Sequence, residues 1–123
     1  MRTLWIAVAG AFGAVARSEL SGWIARSRVG VFPWGTFTVN VLGSFAVGFI
    51  FALTTERFMS SPTLRIAVTV GFLGAFTTFS TFSLETMRLA EGGAIGLAAL
   101  NVVASVGAGL AAIYAGTWAG RTL

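Results

Sequence analysis

Gly71-Phe-Leu-Gly-Ala-Phe-Thr-Thr-Phe-Ser-Thr-Phe-Ser-Leu-Glu85 lies in the middle of a very apolar chain, yet it is crowded with hydroxyls. Thr77, Thr78, Ser80, Thr81 and Ser83 interleave with Phe76, Phe79 and Phe82. On a helix Phe72, Phe76, Phe79 and Phe82 step by four and by three, which lines them along one face. Thr77, Ser80, Thr81 and Leu84 follow on a neighbouring face. Gly71 and Gly74 lower helix stability just ahead of the cluster, and Thr77-Thr78 adds β-branched, back-bonding residues. A helix that weakens inside a membrane frees carbonyls that must find an ion, water or another polar group. The stretch therefore reads as a helix broken near its middle, with an ion site and a lined pathway. The competing reading is packing, because aromatic stripes usually pack and membrane Ser/Thr often bond back to their own backbone. Density favours the pathway: the eight residues 76–83 hold five hydroxyls and three Phe.

Outward from this stretch, the chain has 123 residues, of which 10% are charged. A soluble domain carries about 25%, so this chain lacks the charge to coat a water-facing surface and reads as one integral membrane domain, 1–123. Cysteine, histidine and lysine are absent, and all eight basic residues are Arg. That removes disulfides, thiolate chemistry, imidazole metal ligands and Schiff-base lysines. The net charge of +4 is scattered and forms no nucleic-acid footprint.

Four helices are predicted, over about 3–25, 33–56, 62–90 and 92–119, with the third one broken. Leu4 to Ala16 is apolar and ends Ala14-Val15-Ala16, as a signal peptide would. Hydrophobicity resumes after Arg17 through Trp23 to Ala25, which favours a first transmembrane helix. Arg17 then either snorkels to the headgroups or attracts anions in a wet vestibule. Pro33 suits the first turn of the second helix. The uncharged run from Val29 to Thr55 is long enough to cross a core of about 30 Å. Asn40 within it must be hydrogen-bonded, as interhelical glue or as a donor to an anion. Glu56, Arg57 and Ser60-Ser61-Pro62 form a second loop. Glu85 and Arg88, three apart, are expected to pair. After the turn Glu91-Gly92-Gly93, the last helix carries a small-residue ladder, Ala104, Ala108, Ala112, Gly116 and Gly120, that permits close approach. Asn101 and Ser105 lie one turn apart on it.

No nucleotide loop, zinc motif or nucleophile–base pair occurs, so an enzyme is not expected. The acids, Glu19, Glu56, Glu85 and Glu91, sit toward helix ends. That argues for passive conduction over a proton-coupled four-helix exporter, which needs a membrane-embedded carboxylate. An accessory subunit predicts a packing-only interior, against which Asn40 and the hydroxyl cluster count.

GFLGAFTTFSTFSLE (Gly71–Glu85) resembles the signature of the Fluc (CrcB) family of fluoride channels. GAFGAVAR, ending at Arg17, is similar to that family's first-helix motif. WGTFTVNVLGSFAVGF, containing Asn40, is similar to its second-helix motif. The resemblance implies a dual-topology homodimer of two antiparallel subunits in the bilayer of a prokaryotic plasma (inner) membrane, with two pores that let cytoplasmic fluoride out and so protect against its toxicity. It implies that Phe79 and Phe82 line the pores with ring edges, which carry partial positive charge. Asn40 matches the pore asparagine, and Ser80 and Thr81 belong to a hydroxyl track. Gly74 and Thr77 offer backbone carbonyls, from both subunits, to a central sodium ion. Arg17 and Glu85 sit at the vestibules.

The charges carry the topology argument independently. Four spans put Arg2, Arg57, Arg65 and Arg121 on one side, and Arg17, Arg26, Arg28 and Arg88 on the other. Lys/Arg bias orients membrane proteins, and acidic residues count little. With four against four the bias is zero, so insertion in both senses is expected.

Overall fold

The computed structural model describes residues 1–28, 30–56 and 61–123. Val29, Arg57 and Ser60, used in the sequence arguments above, lie outside the described residues. Those residues are helical throughout apart from short connections. Helix α1 is Arg2–Ser27 and α2 is Trp34–Glu56. The third span, Pro62–Glu91, is composite. It contains α3 (Pro62–Ile66), a π-helical stretch (Ala67–Leu73), a single turn α4 (Gly74–Phe76) and α5 (Phe79–Glu91). Helix α6 is Ile95–Thr122.

The helix ends follow local chemistry. Ser61 caps α3, its hydroxyl accepting from the Leu64 N–H at 3.2 Å, and Pro62 occupies the first turn, where its missing N–H costs nothing. Gly93 takes a positive φ of 89°, a conformation open to glycine. It closes the turn with Gly92, so the last helix starts at Ile95 and not near 92 as expected.

Interhelical contacts set the directions. Along α1, Gly13 lies against the Phe72 carbonyl, so closely that a Cβ there would overlap it, and Gly10 lies near Gly71. Arg17 reaches Ala75 further on. Thus α1 and the third span run the same way. Ser44 approaches Gly109, Gly48 sits on the Ile113 carbonyl and Ala52 meets Gly120, so α2 and α6 also run alike. Gly116 packs on the Phe45 carbonyl with no room for a methyl group. The small-residue ladder works at this end of α6, where Gly116 and Gly120 are buried. Gly35 at the start of α2 rests on Ser21 near the end of α1, and Asn101 of α6 meets Thr86 of α5. These two contacts make the α1–α2 and α5–α6 pairs antiparallel, and the connectivity is up-down-up-down.

Among the described residues three helices are long and apolar enough to cross a membrane: Trp34–Thr55, Pro62–Glu91 and Ile95–Thr122. Helix α1 is not among them, although its 26 residues extend about 39 Å at 1.5 Å per residue. Its second half carries Arg17 and Glu19. Little of the chain is buried within itself: Val39, Ala52 and Asn101 are sealed, while Trp5, Trp23, Trp118 and Tyr114 are exposed.

Candidate functional site

Thr77 (φ −88°, ψ 156°) and Thr78 (φ −150°, ψ 122°) are extended, and they cut the third span in two. The span is therefore broken inside the hydroxyl-rich stretch. The break also splits the aromatic stripe, so Phe72, Phe76, Phe79 and Phe82 do not share the one continuous face expected of them. Phe72 and Phe76 stack at 5.9 Å on one side, and Phe79 and Phe82 tilt against each other at 5.6 Å on the other. Two extended residues advance the chain without helical rotation, so the step-of-three register from Phe76 to Phe79 is lost.

Each backbone group at the break has a different fate. The Thr77 N–H and hydroxyl both donate to the Leu73 carbonyl at 3.0 Å. The Thr78 N–H would close a helical bond onto Gly74, but it donates instead to Asn40 Oδ1 at 2.8 Å. Asn40 Nδ2 in turn donates to the Thr78 carbonyl at 3.0 Å. Asn40 thus pairs with Thr78 as a neighbouring strand would, using one amide N–H and leaving the second. Arg17 Nε donates to the Ala75 carbonyl at 3.1 Å. The Gly74 carbonyl has lost its i+4 donor, and no backbone hydrogen bond to the Thr77 carbonyl occurs among the described residues.

Helix α5 restarts at once because Thr78 caps it. The Thr78 hydroxyl accepts from the Thr81 N–H at 3.2 Å and donates to the Thr81 hydroxyl at 3.1 Å, and Ser80 Oγ lies 3.5 Å from it. Such a cap satisfies an orphan donor of the first turn. Ser83 and Thr86 bond back to the Phe79 and Phe82 carbonyls at 2.9 and 2.8 Å.

Two cavities flank the start of α5. Asn40, Ser44, Thr77, Thr78 and Phe79, with Val47 and Ile113, line one of about 300 Å³. The other, also about 300 Å³, is more polar and is lined in part by Ser18, Ser21, Arg28, Thr36, Thr81 and Glu85. Arg28 lies over the Trp34 ring at 5.3 Å along its rim. Glu85 Oε1 is buried with no hydrogen-bond partner. Among the described residues the expected Glu85–Arg88 ion pair is not formed, although their spacing permits it.

The fold thus gathers Asn40, Thr77 and Phe79 at one cavity and Thr81 and Glu85 at the other, with Thr78 joined to Thr81 between them. Ser80 and Phe82 adjoin this group, and Phe79 is 79% exposed. Gly74 and Arg17 lie on the opposite side of the break. Sequence reasoning missed Thr78 as the residue Asn40 holds, and Ser18, Ser21 and Thr86 as polar neighbours. Among the described residues no group of three or more His/Cys/Asp/Glu could hold a metal ion.

The family model described as "CrcB-like protein, Camphor Resistance (CrcB)" matches residues 4–117. A protein of Magnetococcus marinus named "Fluoride-specific ion channel FluC" is 49% identical over 127 aligned positions, covering all of both chains. Proteins of the same name from Geobacter sulfurreducens (48% identity, 98% of this chain and 97% of the relative) and a Roseiflexus species (44%, 100% and 99%) are also similar.

Proposed function

This chain belongs to the CrcB-like family, and from that premise we propose that it is a fluoride-selective ion channel through which cytoplasmic fluoride leaves the cell passively. The observation that carries the reading is the Asn40–Thr78 pair. It fixes a polar, open backbone segment beside Phe79 and leaves one amide N–H of Asn40 at the cavity. An amide N–H, hydroxyls of Ser80 and Thr81, and the electropositive ring edges of Phe79 and Phe82 are all groups that attract a small anion without a fixed charge that would trap it. Glu85 and Arg17 belong to the approaches to this path.

All four helices cross the membrane in this reading. Trp5 and Trp23, both exposed, stand 18 residues apart on α1, about 27 Å along the axis. That separation suits aromatic anchors at the two interfaces of a core about 30 Å thick. The active form is an antiparallel homodimer in the plasma membrane. Gly74, Phe79 and Ser80 are exposed in the single chain, next to carbonyls that lipid cannot satisfy. A second, inverted copy covers them without adding a new kind of surface. The Gly74 and Thr77 carbonyls fit a sodium ion, a hard cation that takes oxygen ligands, and the ion's charge would satisfy groups that no N–H reaches.

Nothing in the relatives' names supports a proton-coupled exporter. The test is efflux from liposomes holding the purified protein. Fluoride should leave far faster than chloride without a pH gradient. Flux that demands a proton gradient, or movement of neither ion, overturns the reading.

A further inference from the structure

Helix α5 carries Phe79 and Phe82, yet it packs within the chain almost wholly on α6, with slight contact to α2. Across that contact runs one buried polar chain. Asn101 of α6 is 1% exposed. Its Nδ2 donates to Thr86 Oγ1 at 2.9 Å, and its Oδ1 accepts from the Ser105 hydroxyl at 3.2 Å. Thr86 Oγ1 passes the link on by donating to the Phe82 carbonyl at 2.8 Å. A hydroxyl in a membrane helix ordinarily finishes its bonding on its own backbone. Here the same hydroxyl also accepts from a neighbouring helix, so the bond that ends on Phe82 is anchored from outside α5.

We infer that Asn101 and Thr86 are positioning residues: a two-residue tether that sets the rotation and height of α5 on α6, and through the Phe82 carbonyl sets where the Phe82 ring stands. The inference rests on the reading of Phe82 as a pathway residue. An amide sealed to 1% must be paired or be costly. Asn101 supplies both halves of its amide to partners whose positions matter, Thr86 across the helix contact and Ser105 one turn along α6. Leucine has similar bulk and would pack there at less risk, so the polar choice is explained by direction. An apolar contact lets α5 slide or rotate, whereas a hydrogen-bonded one does not.

The experiment measures fluoride efflux and the fluoride-over-chloride ratio in liposomes for Asn101→Leu, Thr86→Val, the double variant, Thr86→Ser and Phe82→Ile, each first checked for a monodisperse folded state. Misplacement on the ångström scale slows a positioned step by roughly ten- to a hundredfold, and both single variants should lose efflux within that range and discriminate less against chloride. The double variant should be no worse than either single one, because both cut one tether. Thr86→Ser keeps both bonds and should keep efflux and selectivity. Losses that add in the double variant, or folded single variants with normal efflux and selectivity beside an impaired Phe82→Ile, overturn the tether alone. A silent Phe82→Ile in folded protein removes the pathway reading and the tether with it. If Asn101→Leu does not fold, the Thr86 pair decides. Impaired Val with intact Ser supports the tether, and equal loss in both overturns it.

Discussion

Replacing Asn40 by leucine keeps the side chain close in size and removes both hydrogen bonds that hold Thr78 extended. The Thr78 N–H and C=O are then unpaired in a part-buried site. Each such group costs about 1–3 kcal/mol, so the broken conformation is destabilised by about 2–6 kcal/mol. The alternative open to the chain is to let the Thr78 N–H return to Gly74 and carry the helix through the break. At 1.36 kcal/mol per factor of ten, even the lower figure shifts the ratio of broken to unbroken helix about 30-fold toward the unbroken form. Fluoride efflux from Asn40→Leu liposomes should fall as the broken form is depleted. Asn40→Asp keeps an acceptor for the Thr78 N–H but sets a carboxylate against the Thr78 carbonyl, and it should fail as well. Hydrogen exchange at the Thr78 amide provides a readout independent of transport. The amide should be protected in the parent protein and should change its protection in Asn40→Leu. Wild-type efflux together with unaltered exchange at Thr78 in a folded Asn40→Leu protein refutes the reasoning.

Phe82→Ile keeps apolar bulk but removes the ring edge, and should lower efflux by about two- to tenfold in a protein that still folds, given that aromatic edge contacts contribute about 0.5–1.5 kcal/mol each; normal efflux removes Phe82 from the path. Exchange of sodium for a large organic cation, long enough to empty a site at the Gly74 and Thr77 carbonyls, should reduce activity and lower thermal stability, and no change in either excludes the ion. A reporter at the C-terminus should be found on both sides of the membrane, since the Arg bias is four minus four; a C-terminus confined to one side rules out the antiparallel dimer.

An all-helical membrane protein was legible from composition and uncharged runs, and a break in the third span from Gly74, Thr77 and Thr78. What local pattern could not show is what each freed group meets. Asn40 and Thr78 are 38 residues apart, as are no residues of one helix face, and only the packing of α2 on the third span joins them. A lone Arg17 in the sequence signals a charge for lipid headgroups or anions; the fold adds that its Nε donates to the Ala75 carbonyl. The π-helical stretch Ala67–Leu73 carries no local mark beyond β-branching and Gly71, and it lies in close contact with α1, which local pattern does not reveal. Glu85 and Arg88 had the spacing to pair, yet spacing fixes only which side chains are neighbours.

The cut at Thr77–Thr78 also brings two helix ends of opposite polarity within two residues of each other. Aligned peptide dipoles leave about half a negative charge at the end of the run that stops at Phe76, and about half a positive charge at the start of α5. In an unbroken helix these partial charges would lie at the membrane faces, where water screens them. Here they are carried into a low-dielectric interior. The negative end already holds a cation, the Arg17 guanidinium on Ala75, while the positive end opens beside Asn40 and Phe79. A segment without one formal charge of its own between Gly71 and Leu84 thus presents a partial positive charge of purely backbone origin at the start of α5, while Arg17 offsets the negative partial charge at the other helix end.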